Sequence, residues 1–358
     1  MLDAKAMDEL LTVDAIRVEI GYGLVPLVDP ERGGDLISHV TNVRKQLASQ
    51  LGIVVPPIHI RDNLHLGAEE YKVMIRGQEV AASTLRPGWS LALGPVNDPN
   101  RSLKGVETTE PAFGLPALWI KPERKIEAEM QDYTVIDCIA VLITHLTEVL
   151  KSNAAEILTR DSVQQLVDNF KERSPAVVEE LIPDLLTTGE LQKVLQHLLH
   201  EKVSIRNLGI ILECCADHAS KTKDPGILCE MVRQRLSRAI CDDYEDESGC
   251  IHALTLDPRL EQLINDALSQ SAEYSAGAIH PQVAQQLLES AAVKVSELSA
   301  RGIDAVLLVK ASLRRVLAEL VLGALPRTPV LSYNEVTSAK KIDNAGTIEV
   351  ALEGAMAG

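Results

Sequence analysis

Large rings are scarce in this chain. Aromatic residues make up 3% of it, and only two are phenylalanines, Phe113 and Phe170. A core of 358 residues at 46% hydrophobic content must therefore be built from Leu, Ile, Val and Ala. No Cys pair has the CxxC spacing. Cys214 and Cys215 are adjacent on an expected helix and point to different faces, so reduced, buried thiols are expected. Basic runs are absent: 51 acidic against 35 basic residues leave a net charge of −16, which repels phosphate backbones and anionic lipids and argues against a nucleic-acid partner. The longest apolar stretch, "CIAVLITHLTEVL", carries Thr144, His145 and Glu148 and is too short and polar to span a bilayer. The amino terminus has no leader-type apolar run, and the chain as given is expected to be soluble.

Catalytic motifs are equally sparse. There is no G-x-S-x-G elbow and no phosphate-binding G-x-x-x-x-G-K-[ST]. Gly21 and Gly23 lack the third glycine of a dinucleotide fingerprint. His197 and His200 stand one turn apart beside Glu201, but the order is HxxHE and no third ligand has a fixed place. A solvated helix face is the expectation, not a metal site. The acidic run Asp242 to Glu247 lacks the alternation and central glycine of a calcium loop and is expected to be a solvated linker. "IHIRDN" places His59, Arg61, Asp62 and Asn63 at a strand end. A turn accounts for them, while a soluble hydrolase or transferase with a site at His59–Asp62 is the rival. Neither metal nor cofactor is expected.

What is there is a long, patterned, globular sequence sized for two to four domains. "IRVEIGYGLVPLV" alternates as strand, turn and strand. Leu36, Val40, Val43, Leu47 and Leu51 mark a helix stopped by Gly52. Pro56 and Pro57 place the next strand at a sheet edge, and "EYKVMIRGQEVAAS" is a hairpin turning at Gly77-Gln78. Residues 88–136 are rich in Gly and Pro, with strands "WSLALG" and "LPALWI" and a polar loop between them. A helix follows, with Asp137 as N-cap. From Arg160 to Ile240 the pattern is helical, with a capping box at Ser162–Gln165. Strands then alternate with helices, which implies parallel pairing, and the segment after Ser338 reads as a mobile tail.

Phe113 is the oddity, because it sits in "EPAFGLPALWI", framed by Pro111 and Gly114. Two roles fit it: a plug fixing the loop against a sheet, or an exposed anchor for a partner, since aromatics dominate interface hot spots.

Several long stretches, in fixed order, carry a resemblance. They are "VDAIRVEIGYGLVPLVDPERGGDL", "RKQLASQLGIVVPPIHIRDNLHL", "EYKVMIRGQEVA", "PAFGLPALWI", "YTVIDCIAVLITHL", "LQKVLQHLLHEKVSIRNLGIILE" and "VLLVKASLRRVLAELVLGALPRTPVLSYNEV". From about Val13 to Val336 the chain resembles the cytoplasmic domain of the FlhA export-gate (FHIPEP) family of the flagellar type III secretion apparatus. Virulence counterparts of the SctV or LcrD type are similar.

The resemblance implies an α+β and α/β multidomain fold. Residues 1–11 would be a linker, and 12–87 with 137–157 a first α/β subdomain. Residues 88–136 would be an inserted ferredoxin-like (RRM-like) subdomain, 158–241 an all-helical third, 242–336 an α/β fourth, and 337–358 a flexible tail. It further implies a non-enzymatic platform at the cytoplasmic side of the bacterial inner membrane, following a membrane-anchored part. That platform would assemble as a nonameric ring, contact other export components and receive export chaperones with late flagellar substrates; a virulence export gate is the close alternative. The docking residues carried over are Glu110, Phe113 and Thr144. Glu110 departs from the family's aspartate, while "ITHL" keeps the threonine and histidine. On this resemblance Phe113 is the anchor of an apolar patch rimmed by acid.

Overall fold

The computed structural model describes residues 13–29, 31, 34–94, 103–271 and 276–350. The expected linker 1–11, most of the connection after Leu93 and the last eight residues lie outside them. The chain divides into two compact units, Met1–Ser162 together with Ser204–Arg206, and Val163–Val203 together with Asn207–Gly358. Among the described residues the architecture is mixed α/β, with helices and three four-stranded sheets.

In the first unit, β1 (Ile16–Ile20) pairs parallel with β2 (Ile58–Asp62) and antiparallel with β3 (Glu70–Ile75). β3 turns into β4 (Gln78–Thr84), giving the order β2-β1-β3-β4. The turn is Arg76-Gly77, one residue earlier than expected. β2 lies at the edge, as Pro56 and Pro57 require. The helix Leu36–Leu51 buries all five of its patterned aliphatics. It ends at Gly52, whose φ of +79° no side chain adopts easily. A Cβ there would also lie 2.5 Å from Arg206 N. That close approach belongs to Ser204–Arg206, where Ile205 N donates to Leu51 O at 2.9 Å. Those three residues therefore join the first unit, although their sequence sits inside the helical stretch.

The second strand expected after Gly21-Gly23 does not form. Tyr22–Leu27 is a 3₁₀ helix. Gly21 N and Gly23 N donate to Glu70 O and Ala68 O, both at 2.8 Å. The alternation was real, but these donors are taken by Ala68 before β3 and by Glu70 at its start, and Pro26 brings none.

The second sheet is β5 (Ser90–Leu93), β6 (Val106–Thr109), β7 (Pro116–Ile120) and β8 (Thr134–Asp137), in the order β6-β7-β5-β8 and antiparallel throughout. β6 and β8 were missed: "VETT" and "TVID" are short outer strands with little buried surface to pattern them. The helix Lys125–Met130 lies between β7 and β8, and Cys138–Ser152 follows β8. Asp137 is at its N-cap position but makes no side-chain cap bond.

At the end of the first unit's main segment, the expected capping box starts one turn early: Thr159 Oγ1 accepts from Ser162 N at 3.1 Å. The second unit opens with helices. Thr187 and Glu190 make a complete capping box on the helix Thr188–His200. β9 (Cys250–Leu256), β10 (Ala305–Val309) and β11 (Val330–Ser332) are parallel, as the alternation predicted. The helices Pro258–Gln270, Pro281–Ser299 and Ala311–Ala324 pack an aliphatic cluster against this sheet. The segment expected to be a flexible tail instead contributes β12 (Lys341–Ile348), parallel to β9, with a bulge between Asn344 and Gly346. Its Lys, Asp and Asn are exposed on an outer strand, so no apolar alternation announced it. All six cysteines are buried and free.

The other two polar expectations hold in part. His197 and His200 are exposed, as a solvated face requires, but Glu201 beside them is not. It meets Arg314, Nη2 to Oε1 at 3.0 Å, and Arg233 at 3.1 Å. Burial opposes its charge, but the two guanidiniums outweigh that and hold its carboxyl below the ordinary range. Arg314, fully buried, also donates Nε to Glu230 at 2.6 Å, and Arg233 Nε donates to Glu335 at 2.6 Å. In the acidic run, Asp246 accepts from Ser248 N, Ser248 Oγ and Cys250 N at 2.7–2.9 Å, while Glu245 pairs with Lys340 at 3.0 Å. It is a built turn leading into β9.

Candidate functional site

The connection from β6 to β7 is the segment Glu110–Leu115. Glu110 N donates to Leu115 O at 2.8 Å, and Gly114 N donates to Glu110 O at 2.9 Å. Gly114 has φ +70° and open space around its Cα, so its glycine serves the turn rather than packing. The Glu110 carboxylate folds back into the loop. Oε1 accepts from Ala112 N at 2.9 Å and Oε2 from Phe113 N at 2.6 Å. Both oxygens thus satisfy backbone donors of their own turn, and the residue is 2% exposed. The expectation of a rim acid is corrected: Glu110 is the loop's internal brace, because two adjacent N–H groups at the turn need an acceptor, which its carboxylate supplies.

The brace aims what the loop carries. Phe113 is 40% exposed and Leu115 47%. These are high values for large apolar side chains and are inconsistent with a buried plug.

Beneath the loop stands a polar pair that the sequence pattern did not expose. Tyr71, on β3, is fully buried, and its hydroxyl lies 2.6 Å from His145 Nδ1 on the helix Cys138–Ser152. The rings meet edge-on, centroids 5.8 Å apart and planes at 74°. Burial pushes the Tyr71 hydroxyl far above its ordinary value; a bond to Ser83 opposes this and the Glu110 charge adds to it. Burial lowers His145, against the pull of Glu110, so the imidazole is held neutral. The brace of the loop therefore acts electrostatically on both members of the pair. Thr144, half-buried, is the residue before His145 on that helix. A tyrosine at a buried alternate position of β3, in a chain this poor in rings, was the one signal that could have found the pair.

The rival site is tied up differently. His59 Nδ1 and Arg61 Nη2 both reach Asp14, at 2.8 and 2.9 Å, and Asn63 Nδ2 donates to Glu19 at 2.8 Å. Asn63 Oδ1 accepts from His65 N at 2.9 Å, a turn bond. Among the described residues no group of three or more His, Cys, Asp and Glu is arranged to hold a metal, and no helix is long and apolar enough to cross a membrane.

The model of the FHIPEP family matches residues 2–341. The chain belongs to the FHIPEP family. Flagellar biosynthesis protein FlhA of Bacillus subtilis is 39% identical over 96% of the chain and 50% of that protein. The Treponema pallidum and Escherichia coli proteins of the same name are 38% and 36% identical, over 49% and 48% of their lengths. The chain thus spans about half the length of these curated FHIPEP relatives. Among solved structures, the Chlamydia pneumoniae CdsV protein superposes with a TM-score of 0.83 at 24% identity, covering 95% of this chain and 99% of that one. The nonameric EPEC SctV-C structure has a TM-score of 0.75 at 19% identity, covering 94% and 99%. The fold is the one these CdsV and SctV-C structures share.

Proposed function

We propose that this chain is the non-enzymatic docking platform of a flagellar type III export gate. It receives export chaperone–substrate complexes at the Phe113 loop and orders their export. The observation that carries the reading is an exposed Phe113 on a turn braced by a buried Glu110. A ring presented on a pre-set loop loses little freedom on binding, which favours an anchor. Thr144, half-buried on the helix Cys138–Ser152, belongs to the same proposed site. The patch is apolar, and its acid works from below rather than from the rim.

Flagellar relatives at 36–39% identity support the flagellar reading over the virulence one, since the virulence-type solved neighbours stand at 24% or less. The strand end at His59–Asp62, bound up in ion pairs and a turn, gives the hydrolase or transferase reading no support. The nonameric SctV-C and the complex of CdsV with CdsO support ring assembly and further apparatus partners for this chain. Membrane anchoring would come from the part of the longer protein outside this half. The four-subdomain division at residues 88, 137, 158 and 242 belongs to the same proposal.

The test separates docking from packing in one variant. Phe113→Ala is expected to weaken binding of a cargo-loaded flagellar chaperone by about thirtyfold or more, with urea unfolding little changed. Thr144→Met should produce the same binding loss. Unchanged chaperone affinity in both variants would sink the reading.

A further inference from the structure

The turn into β5 gathers two positive charges around an aromatic ring. Arg86-Pro87-Gly88-Trp89 closes tightly, with Trp89 N donating to Arg86 O at 3.0 Å. Pro87 sets the second position, and Gly88 takes the left-handed third at φ +78°. The turn brings its first and fourth side chains together: Arg86 Cζ stands 5.4 Å from the centre of the Trp89 ring. The ladder adds the second cation. Ser90 pairs with Ile120, so Trp89 and Lys121 lie across from each other one step beyond that pair. Lys121 Nζ is 5.7 Å from the same ring centre. Both distances are within the cation–π range.

Neither charge is offset. Among the described residues, neither Arg86 nor Lys121 has a carboxylate at ion-pair distance. Arg17, Arg61 and Lys72 of the same unit, by contrast, each meet one, at 2.8, 2.9 and 2.8 Å. No Asp or Glu occurs in residues 85–93 or 116–122. Asp137 is in register with Ser90, on the face that strand alternation turns away from Trp89 and Lys121. Glu69 O accepts from Leu85 N at 2.8 Å, and Glu123 stands two residues past Lys121; neither carboxylate pairs with either cation. Arg86 and Trp89 are half-buried and Lys121 is exposed, so the ring is held while the charges stay reachable.

Charge complementarity names the occupant. Two uncompensated cations beside a ring match carboxylates that flank an apolar side chain, and Trp and Arg are the residues interfaces favour as anchors. A nucleic acid is a poor fit. Its many phosphates would meet the field of a chain at net −16, whereas two carboxylates meet chiefly the local field within about 10 Å.

We propose that Arg86, Trp89 and Lys121 form a docking clamp for a short acidic segment of another protein. One carboxylate of the segment pairs with the Arg86 guanidinium and a second with the Lys121 ammonium, while an apolar side chain between them lies on Trp89. The clamp is separate from the Phe113 loop. That loop ends at Leu115, before β7, and Lys121 follows the last residue of β7, so about 17 Å of strand lies between them.

The probe is a blocked hexapeptide, GEELEG, titrated into the whole chain and read from its two tryptophan indole N–H signals. Trp119, 3% exposed, serves as the internal reference, and Trp89→Phe assigns the signals. The Trp89 signal is expected to shift and saturate while the Trp119 signal holds. Exchanging the glutamates for glutamine (GQQLQG), Arg86→Gln and Lys121→Gln should each weaken binding about fivefold or more. Lys121→Gln, at an exposed position, keeps the test decisive if Arg86→Gln disturbs the turn. Absence of a saturable shift, equal binding of GQQLQG, indifference to both charge variants, or equal competition by inorganic phosphate would each overturn the proposal. So would loss of binding in Phe113→Ala, which would assign the peptide to the other loop.

Discussion

Each unit buries carboxylates, and the two do it in opposite ways. In the first, Glu110 is satisfied by Ala112 and Phe113, neighbours two and three residues along the chain. In the second, Glu201, Glu230 and Glu335 converge on Arg233 and Arg314, with Glu201 and Arg314 separated by 113 positions. The first arrangement is local and shapes a loop. The second is long-range: it ties the helices Thr188–His200 and Pro225–Arg235 to the helix Ala311–Ala324 and to the turn after β11. A local brace places a side chain for use, whereas a distributed ion cluster makes distant segments interdependent.

The sharpest way to break this contrast is Arg314→Met. It leaves Glu201 and Glu230 without their shared cation and should destabilise the second unit by about 3–5 kcal/mol in urea. Adding Glu201→Gln and Glu230→Gln should restore a large part of that loss, because a buried pair is costly to halve and cheap to neutralise. Failure of the triple variant to recover would show that the cluster contributes more than charge balance.

Next comes the brace. Glu110→Ala strands two backbone donors and should cost about 2–3 kcal/mol, with little dependence on salt. Glu110→Asp keeps an acceptor able to reach the same turn and should cost under about 1 kcal/mol. A strong salt dependence for Glu110→Ala would return the residue to the rim. Phe113→Ala should cost less again, under about 1 kcal/mol, against about 3–5 for a buried ring.

The smallest effect is pH. His145 folds with its ionisation lowered by burial, so the folded state binds fewer protons than the unfolded one. Its contribution is complete above the unfolded value of 6.5 and is lost as pH falls below it. Unfolding followed at pH 7 and pH 5 should show a smaller decline in His145→Gln than in wild type.

The same local-versus-distant distinction explains what could be read from the sequence. Leu36–Leu51 with its Gly52 stop, and the strand–helix alternation that holds β9 and β10, were legible, because their signals lie within one element. Phe113 stood out because rings are rare and its neighbours are turn formers. The role of Glu110 was not legible, since a carboxylate in a loop looks the same whether it faces water or its own backbone. Tyr71, His145 and Glu201 were missed or misread because their partners lie in other elements, 74 positions apart for Tyr71 and His145, and for Glu201 at Arg233 and Arg314. β6, β8 and β12 were missed because outer strands expose both faces and lose the alternation that marks a strand.

β12 has a consequence for handling the protein. It covers the flank of β9, whose seven residues are mostly buried, and it begins at the last residue of the family match. A version trimmed before Lys341 would bare a straight apolar template, with no charged outer strand to blunt it. Such an edge recruits further copies of itself. Clipping at that point should therefore show up first as loss of solubility on standing, before any loss of helix.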